Sequence, residues 1–214
     1  MGKPADKLSP TERPVPMTDL TQFQICDLIN RPGPLWLVGL RLPNALLMEA
    51  NLAGAHLEQT ILTHANLRGA KLHGANFRQA DLSGATLAAA DLSLCDLSHC
   101  NLADADLSHA KLIGVEMSEA DLSNANLANA NLNTSNLHRV TLRGANLQNA
   151  SLVGVNLSGA DLSNADLSNS DLTMADLSHA NLEGANLQGA ELENVEMVES
   201  NLAGATLADG TKHA

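Results

Sequence analysis

From position 42 to position 207 every fifth residue is Leu, with Phe77, Met117 and Met197 as the replacements, and no insertion breaks the count over 34 successive pentads. This period fits neither standard element. On an α-helix a step of five advances by about 500°, or about 140° net, and spreads the leucines around the whole cylinder. On a flat strand an odd step sends alternate leucines to opposite faces. They can all be buried together only if the chain turns a corner once per pentad, so that each Leu and the small residue two places before it point to one axis. That earlier position is mostly Ala, with Cys95, Cys100, Val115, Ser135, Val140, Val155 and Ser170 among its variants. Composition permits little else as filling, because the chain holds one Trp, two Phe and no Tyr.

The residue before each Leu is mostly Asn or Asp, which gives strings such as Ala125-Asn126-Leu127-Ala128-Asn129. In this the chain resembles the pentapeptide-repeat family, with its Ala-(Asp/Asn)-Leu-X-X consensus, from residue 35 or 40 to residue 209. The resemblance implies an all-β fold, a right-handed quadrilateral parallel β-helix with 20 residues per coil. The 34 pentads then make about 8.5 coils, and a strand spacing of about 4.8 Å makes a rod about 40 Å long. Asn and Asp suit the corners because short polar side chains bond nearby backbone groups. Glycines two places after Leu, such as Gly54, Gly74, Gly144, Gly154 and Gly184, suit a turn position that needs positive φ.

The organisation follows from where the repeat starts and stops. All seven prolines lie at or before Pro43, which predicts a disordered tail over 1–17 and a capping segment over 18–39. The β-helix follows over 40–209, then a short tail over 210–214. Within the capping segment Thr18 is positioned to N-cap a helix over about 19–29, with Leu20, Phe23, Ile25, Leu28 and Ile29 on its apolar face. Leu35-Trp36-Leu37 begins the first coil. A stacked coil exposes unpaired backbone at its ends, and a second copy can stack on the C-terminal coil to form a homodimer. The Asp209-Gly210-Thr211 ending is similar to that of many cyanobacterial members of the family.

With 20 residues per coil, the sequence can be rolled into columns. On the side whose leucines are 52, 72, 92, 112, 132, 152, 172 and 192, outward positions carry Leu94, Ile113, Val153 and Met174, a candidate partner-binding stripe. The net charge is −12 and it is banded: 41–80 and 121–160 are net positive, 81–120 and 161–214 strongly negative. Asp81, Asp91, Asp96, Glu116, Glu119, Asp161, Asp166, Asp171, Asp176, Glu191, Glu196 and Glu199 form the candidate acidic surface. Residues 81–120 also align with 161–200 at positions the repeat does not demand: His99 with His179, Val115 with Val195, Glu116 with Glu196, Glu119 with Glu199. That marks an internal duplication of four coils. One column runs His99, Glu119, Arg139 and, farther on, His179, Glu199.

Several chemistries are not expected. Cys95 and Cys100 point inward as reduced thiols, while His64, His99, His109 and His179 face outward on differing sides or coils, so no metal site assembles. No Gly-rich run ends in Gly-Lys-Ser/Thr, no nucleophile elbow is present, and no cofactor is implied. Acidic columns repel phosphates, which argues against direct nucleic-acid binding and for basic partners. No apolar run reaches the roughly 20 residues of a membrane span, and the proline-rich start lacks a secretion signal; a cytoplasmic protein is expected. The sequence therefore points to a non-enzymatic scaffold or regulatory module that binds a protein partner. The family resemblance implies an alternative, imitation of B-DNA in binding a type II topoisomerase such as gyrase.

Overall fold

In the computed structural model, which describes residues 20–30 and 35–214, helix α1 (Gln22–Ile29) precedes a continuous right-handed parallel β-helix. Parallel bridges join each residue before a core Leu to its counterpart 20 residues later, from Trp36↔His56 to Asn186↔Thr206. The coil is thus 20 residues, with four sides. Side one holds Leu42 through Leu202, side two Leu47 through Leu207, side three Leu52 through Leu192, and side four Leu37 through Met197.

Each corner is one β-turn. Leu122 shows the pattern: its carbonyl accepts from Ala125 N at 3.0 Å, its own N–H donates to Thr141 O of the next coil at 2.7 Å, and Asp121 N donates back to Cys100 O at 2.9 Å. From Gly39 to Gly204 the second residue after each core residue is left-handed, as in the third position of a type II turn. Asn124 adopts φ 58° there, and Leu94 and Met174 adopt 59° and 60°. Glycine is therefore favoured but not required at this place.

Inward, Leu and Ala are sealed through the inner coils, and Phe77 is the largest fully buried side chain. The polar variants of the small position find carbonyls: Ser135 Oγ donates to Leu112 O and Ser170 Oγ to Leu167 O, each at 2.7 Å. The thiols of Cys95 and Cys100 do likewise, to Leu72 O at 3.0 Å and Phe77 O at 2.8 Å. Burial pushes both thiols up to about 12, which keeps them protonated and inert. All three cysteines are free, but Cys26 is exposed on α1.

Outward, the Asn and Asp side chains have two uses. Their Oδ1 accepts the N–H two residues on, as Asp81 does from Ser83 at 3.0 Å. An Asn amide also donates to the counterpart one coil earlier, so Asn126 bonds Asp106 at 3.1 Å and Asn146 bonds Asn126 at 3.2 Å. Such ladders start on an acid and continue in Asn, since Asn both donates and accepts whereas a carboxylate only accepts.

The ends differ. At the first coil α1 begins at Gln22 with Thr21 as N-cap, because Thr21 and Gln24 form a capping box; the expected helix start at 19 is thus moved to 22. Thr18 and the expected tail over 1–17 lie outside the described residues. Ile25 is buried, but Phe23 turns outward instead of joining the packed face. Gln22 closes the open edge of side two by bonding both Leu46 O (2.8 Å) and Leu46 N (2.9 Å). At the last coil, Asp209 and Gly210 reverse the chain, so that Lys212 pairs antiparallel with Thr206.

Candidate interaction surfaces

Side three carries the four apolar residues on stacked coils, Leu94 and Met174 in one column and Ile113 and Val153 in the next, with Asn133 and Thr134 on the coil between. Bridges Asp91↔Lys111, Lys111↔Asn131, Asn131↔Ser151 and Ser151↔Asp171 stack the five coils concerned. Leu94 and Met174 are 60% and 59% exposed and Ile113 is 41% exposed, while Val153 is half-buried. Leu94 N donates to Ile113 O at 3.0 Å, so these two share adjacent corners. Leu94 leans along the rod over Gly114, and the Thr134 methyl lies 4.0 Å from where a Cβ on Gly154 would stand. Asn133 stands between Ile113 and Val153, its Oδ1 accepting from Val153 N at 2.9 Å, while Thr134 stands in the column of Leu94 and Met174. The duplication pairs Leu94 with Met174, four coils apart in one column.

The structure does not bring the acids into a single patch. They ring the rod: Asp161, Asp166, Asp171 and Asp176 occupy sides one, two, three and four of one coil. Most are half-buried and hydrogen-bonded. At Asp91 burial raises the carboxyl, but the Ser93 hydroxyl and backbone and the Lys111 charge outweigh it, so the group is held below the usual carboxylate range. Glu116 is lowered against burial by Ser118 and Asn136, and Asp161 by Ser163 and Arg143, whose guanidinium lies 2.9 Å away. Asp166 is lowered in the same way by Gln148, Ser168 and Asn186. Glu119, Glu191, Glu196 and Glu199 are exposed.

The histidine column forms real pairs. His99 Nδ1 lies 3.4 Å from Glu119 and His179 Nδ1 lies 3.1 Å from Glu199, the same contact in both copies of the duplicated unit. Among the described residues no group of three or more His, Cys, Asp or Glu is arranged to hold a metal ion, and no helix is long and apolar enough to cross a membrane.

One surface escaped the sequence reading. Phe23 and Trp36 are 83% and 65% exposed, and with Leu20, Leu28 and Leu40 they line a cavity of about 420 Å³ between α1 and the first coil. Trp36 also stacks on His56 at 3.8 Å. The signal was present for Trp36, which stands in the outward place before Leu37. For Phe23 it was not, because the docking of α1 on the first coil decides which face is covered.

The pentapeptide repeat region profile matches residues 70–147 and the pentapeptide repeats profile, eight copies, matches 135–173 and 175–209. HetL, a pentapeptide repeat protein involved in heterocyst differentiation regulation from the cyanobacterium Nostoc sp. strain PCC 7120, is 32% identical. That similarity covers 83% of this chain and 87% of HetL with a TM-score of 0.51. The chain belongs to the pentapeptide-repeat family. Other pentapeptide-repeat proteins share its shape at lower identity: QnrB1, a plasmid-mediated fluoroquinolone resistance protein, is 21% identical over 78% of this chain and 91% of its own, with a TM-score of 0.52. That likeness concerns the pentapeptide-repeat fold alone. Among curated proteins none matches this member of the family.

Proposed function

We propose that this pentapeptide-repeat rod is a non-enzymatic scaffold or regulatory module that docks a protein partner on the side-three stripe of Leu94, Ile113, Val153 and Met174. The observation that carries this reading is the conformation of Leu94 and Met174. Each is a large apolar side chain, exposed, and in the left-handed turn position. A bulky residue there costs about 1–2 kcal/mol relative to an ordinary conformation, and exposure of its apolar surface gains nothing in the free chain. Contact with a partner recovers the second of these costs, the exposed apolar surface. The acidic rings on either side favour a partner with basic residues around an apolar centre. The involvement of HetL in heterocyst differentiation regulation is consistent with a binding module.

The test compares proteins captured by the immobilised chain with those captured by Ile113→Asp/Val153→Asp, whose circular dichroism should be unchanged. Loss of a specific partner from the variant supports the stripe. Identical captures from both discard it.

A second reading, binding of a type II topoisomerase through imitation of B-DNA, is favoured by stacked acids on side four, Asp96 above Glu116 and Asp176 above Glu196. Their repeat of four coils, about 19 Å, departs from the roughly 34 Å of a B-DNA turn, which places this reading second. A gyrase supercoiling assay decides it, since neither inhibition nor quinolone protection at micromolar protein removes the idea.

A further inference from the structure

The C-terminal end of the rod is closed on one corner and open on another. Past Leu207 the chain turns at Asp209-Gly210, where Thr211 N and Oγ1 both donate to Asp209 Oδ1 at 2.9 and 2.7 Å. The tail then runs back over the corner of sides one and two. His213 N donates to Ala205 O, Gly204 N to His213 O and Leu207 N to Thr211 O. Ala205 is sealed as a result. The described residues turn back before passing over sides three and four of the last coil. There Leu192, Val195 and Met197 are only partly buried, unlike their counterparts in the inner coils. Among the described residues, Leu192 N, Asn194 N, Met197 N and Glu199 N find no acceptor, and Ala190 O, Val195 O and Ser200 O find no donor.

The duplication supplies a template for what covers such a surface. Residues 161–200 repeat 81–120, and above the first copy lies the segment 131–140, Asn-Leu-Asn-Thr-Ser-Asn-Leu-His-Arg-Val. It answers six of the seven groups that are open in the second copy; Ala120 O, the counterpart of Ser200 O, accepts from Thr141 N just beyond it. Leu112 N, Gly114 N, Met117 N and Glu119 N donate to Asn131 O, Asn133 O, Asn136 O and His138 O at 2.7–3.1 Å. Asn131 N and Asn136 N donate back to Ala110 O and Val115 O. Leu132 and Leu137 seal the core, the Asn136 amide donates to both oxygens of Glu116 at 3.0 and 2.9 Å, and Arg139 stands in the column above Glu119. In the second copy Lys111 and Ile113 are replaced by Glu191 and Glu193, so the open side is rimmed by Glu191, Glu193, Glu196 and Glu199, all exposed.

We propose that sides three and four of the last coil form a strand-addition site for an extended basic segment of a partner protein, which continues the β-helix as residues 131–140 do one duplication earlier. Backbone pairing gives such a site affinity and the side-chain positions give it selectivity. The segment places apolar residues five apart, to cover Leu192 and Met197, and Lys or Arg outward, against the four glutamates. A second copy is a poorer occupant, since two like ends bring eight carboxylates together. This site adjoins the stripe only at Met174, whose N–H donates to Glu193 O at 2.9 Å, and the variant Ile113→Asp/Val153→Asp leaves it intact, so the two readings fail independently.

The probe is a synthetic peptide with the sequence of residues 131–140 carrying Asn133→Lys and Thr134→Lys, added to the full chain. Hydrogen exchange at Leu192, Asn194, Met197 and Glu199 is expected to slow on the order of tenfold or more with one peptide bound per chain, and Glu196→Lys/Glu199→Lys to weaken binding by roughly tenfold. Three results overturn the proposal. The first is unchanged exchange at saturating peptide. The second is equal binding by a peptide that also carries Leu132→Asp and Leu137→Asp, which reduces the contact to bulk charge. The third is a chain that sediments as a dimer with those amides already protected, which makes a second copy the occupant.

Discussion

Leu94 Cδ2 lies 2.9 Å from the point where a Cβ on Gly114 would stand, so the side chain of one coil rests on the missing side chain of the next. The same relation holds between His64 and Gly84, at 2.4 Å from the ring Nδ1. Side chains in the left-handed place lean along the rod, and the glycine one coil later makes room for them.

Gly114→Ala should therefore cost more than Gly54→Ala. Both glycines are left-handed, which costs an Ala there about 1–2 kcal/mol, but a Cβ at Gly54 meets nothing within 4 Å. Urea denaturation of the two variants measures the difference, and equal midpoints would show that Leu94 moves aside freely.

Leu94→Gly should raise stability while weakening partner capture. It relieves the left-handed strain, worth up to about 1 kcal/mol after the extra chain entropy of Gly, and removes the most exposed member of the stripe. A lower midpoint with capture unchanged would contradict both halves of this expectation.

Truncation should be felt in proportion to enclosure. Leu132 is fully buried in the middle of the rod and Leu192 only partly so at the open end. Leu132→Ala should cost about 2–5 kcal/mol because stacked coils cannot collapse into the gap, and Leu192→Ala clearly less. Equilibrium unfolding of each variant checks the order.

Acid should destabilise the rod through the hydrogen-bonded carboxylates. Asp91, Glu116, Asp161 and Asp166 are lowered in the folded chain, so each contributes stability that is fully present above its unfolded value, near pH 4. That contribution is lost as pH falls through the folded value. Stability should thus change little from neutrality to about pH 5 and drop below it; Asp161→Asn should flatten part of the fall in a thermal-melting series against pH.

Native alkylation should modify one thiol. Cys26 is exposed while Cys95 and Cys100 are sealed and pushed up to about 12 by burial. Mass spectrometry after iodoacetamide should find a single adduct on Cys26, and labelling of Cys95 would show that the coil opens locally.

The fold was legible because one period, five, leaves a single way to bury Leu42 through Leu207 together, and the same register fixes which side every residue faces. Side, column and inward or outward direction for Leu94, Ile113, Val153 and Met174 follow from counting, as does the inward place of Cys95 and Cys100. The sequence could not give contacts whose geometry depends on how elements meet. Thr21 caps α1 because the reach of Gln24 decides it, and Phe23 is exposed because the face of α1 that packs inward is the one carrying Ile25. The reversal at Asp209-Gly210, which pairs Lys212 with Thr206 and leaves sides three and four open at Glu191 and Glu196, is a tertiary outcome. Periodicity is a local property that the chain carries everywhere; the closing of an end is decided by which surfaces the last residues find, and only the tertiary structure holds that.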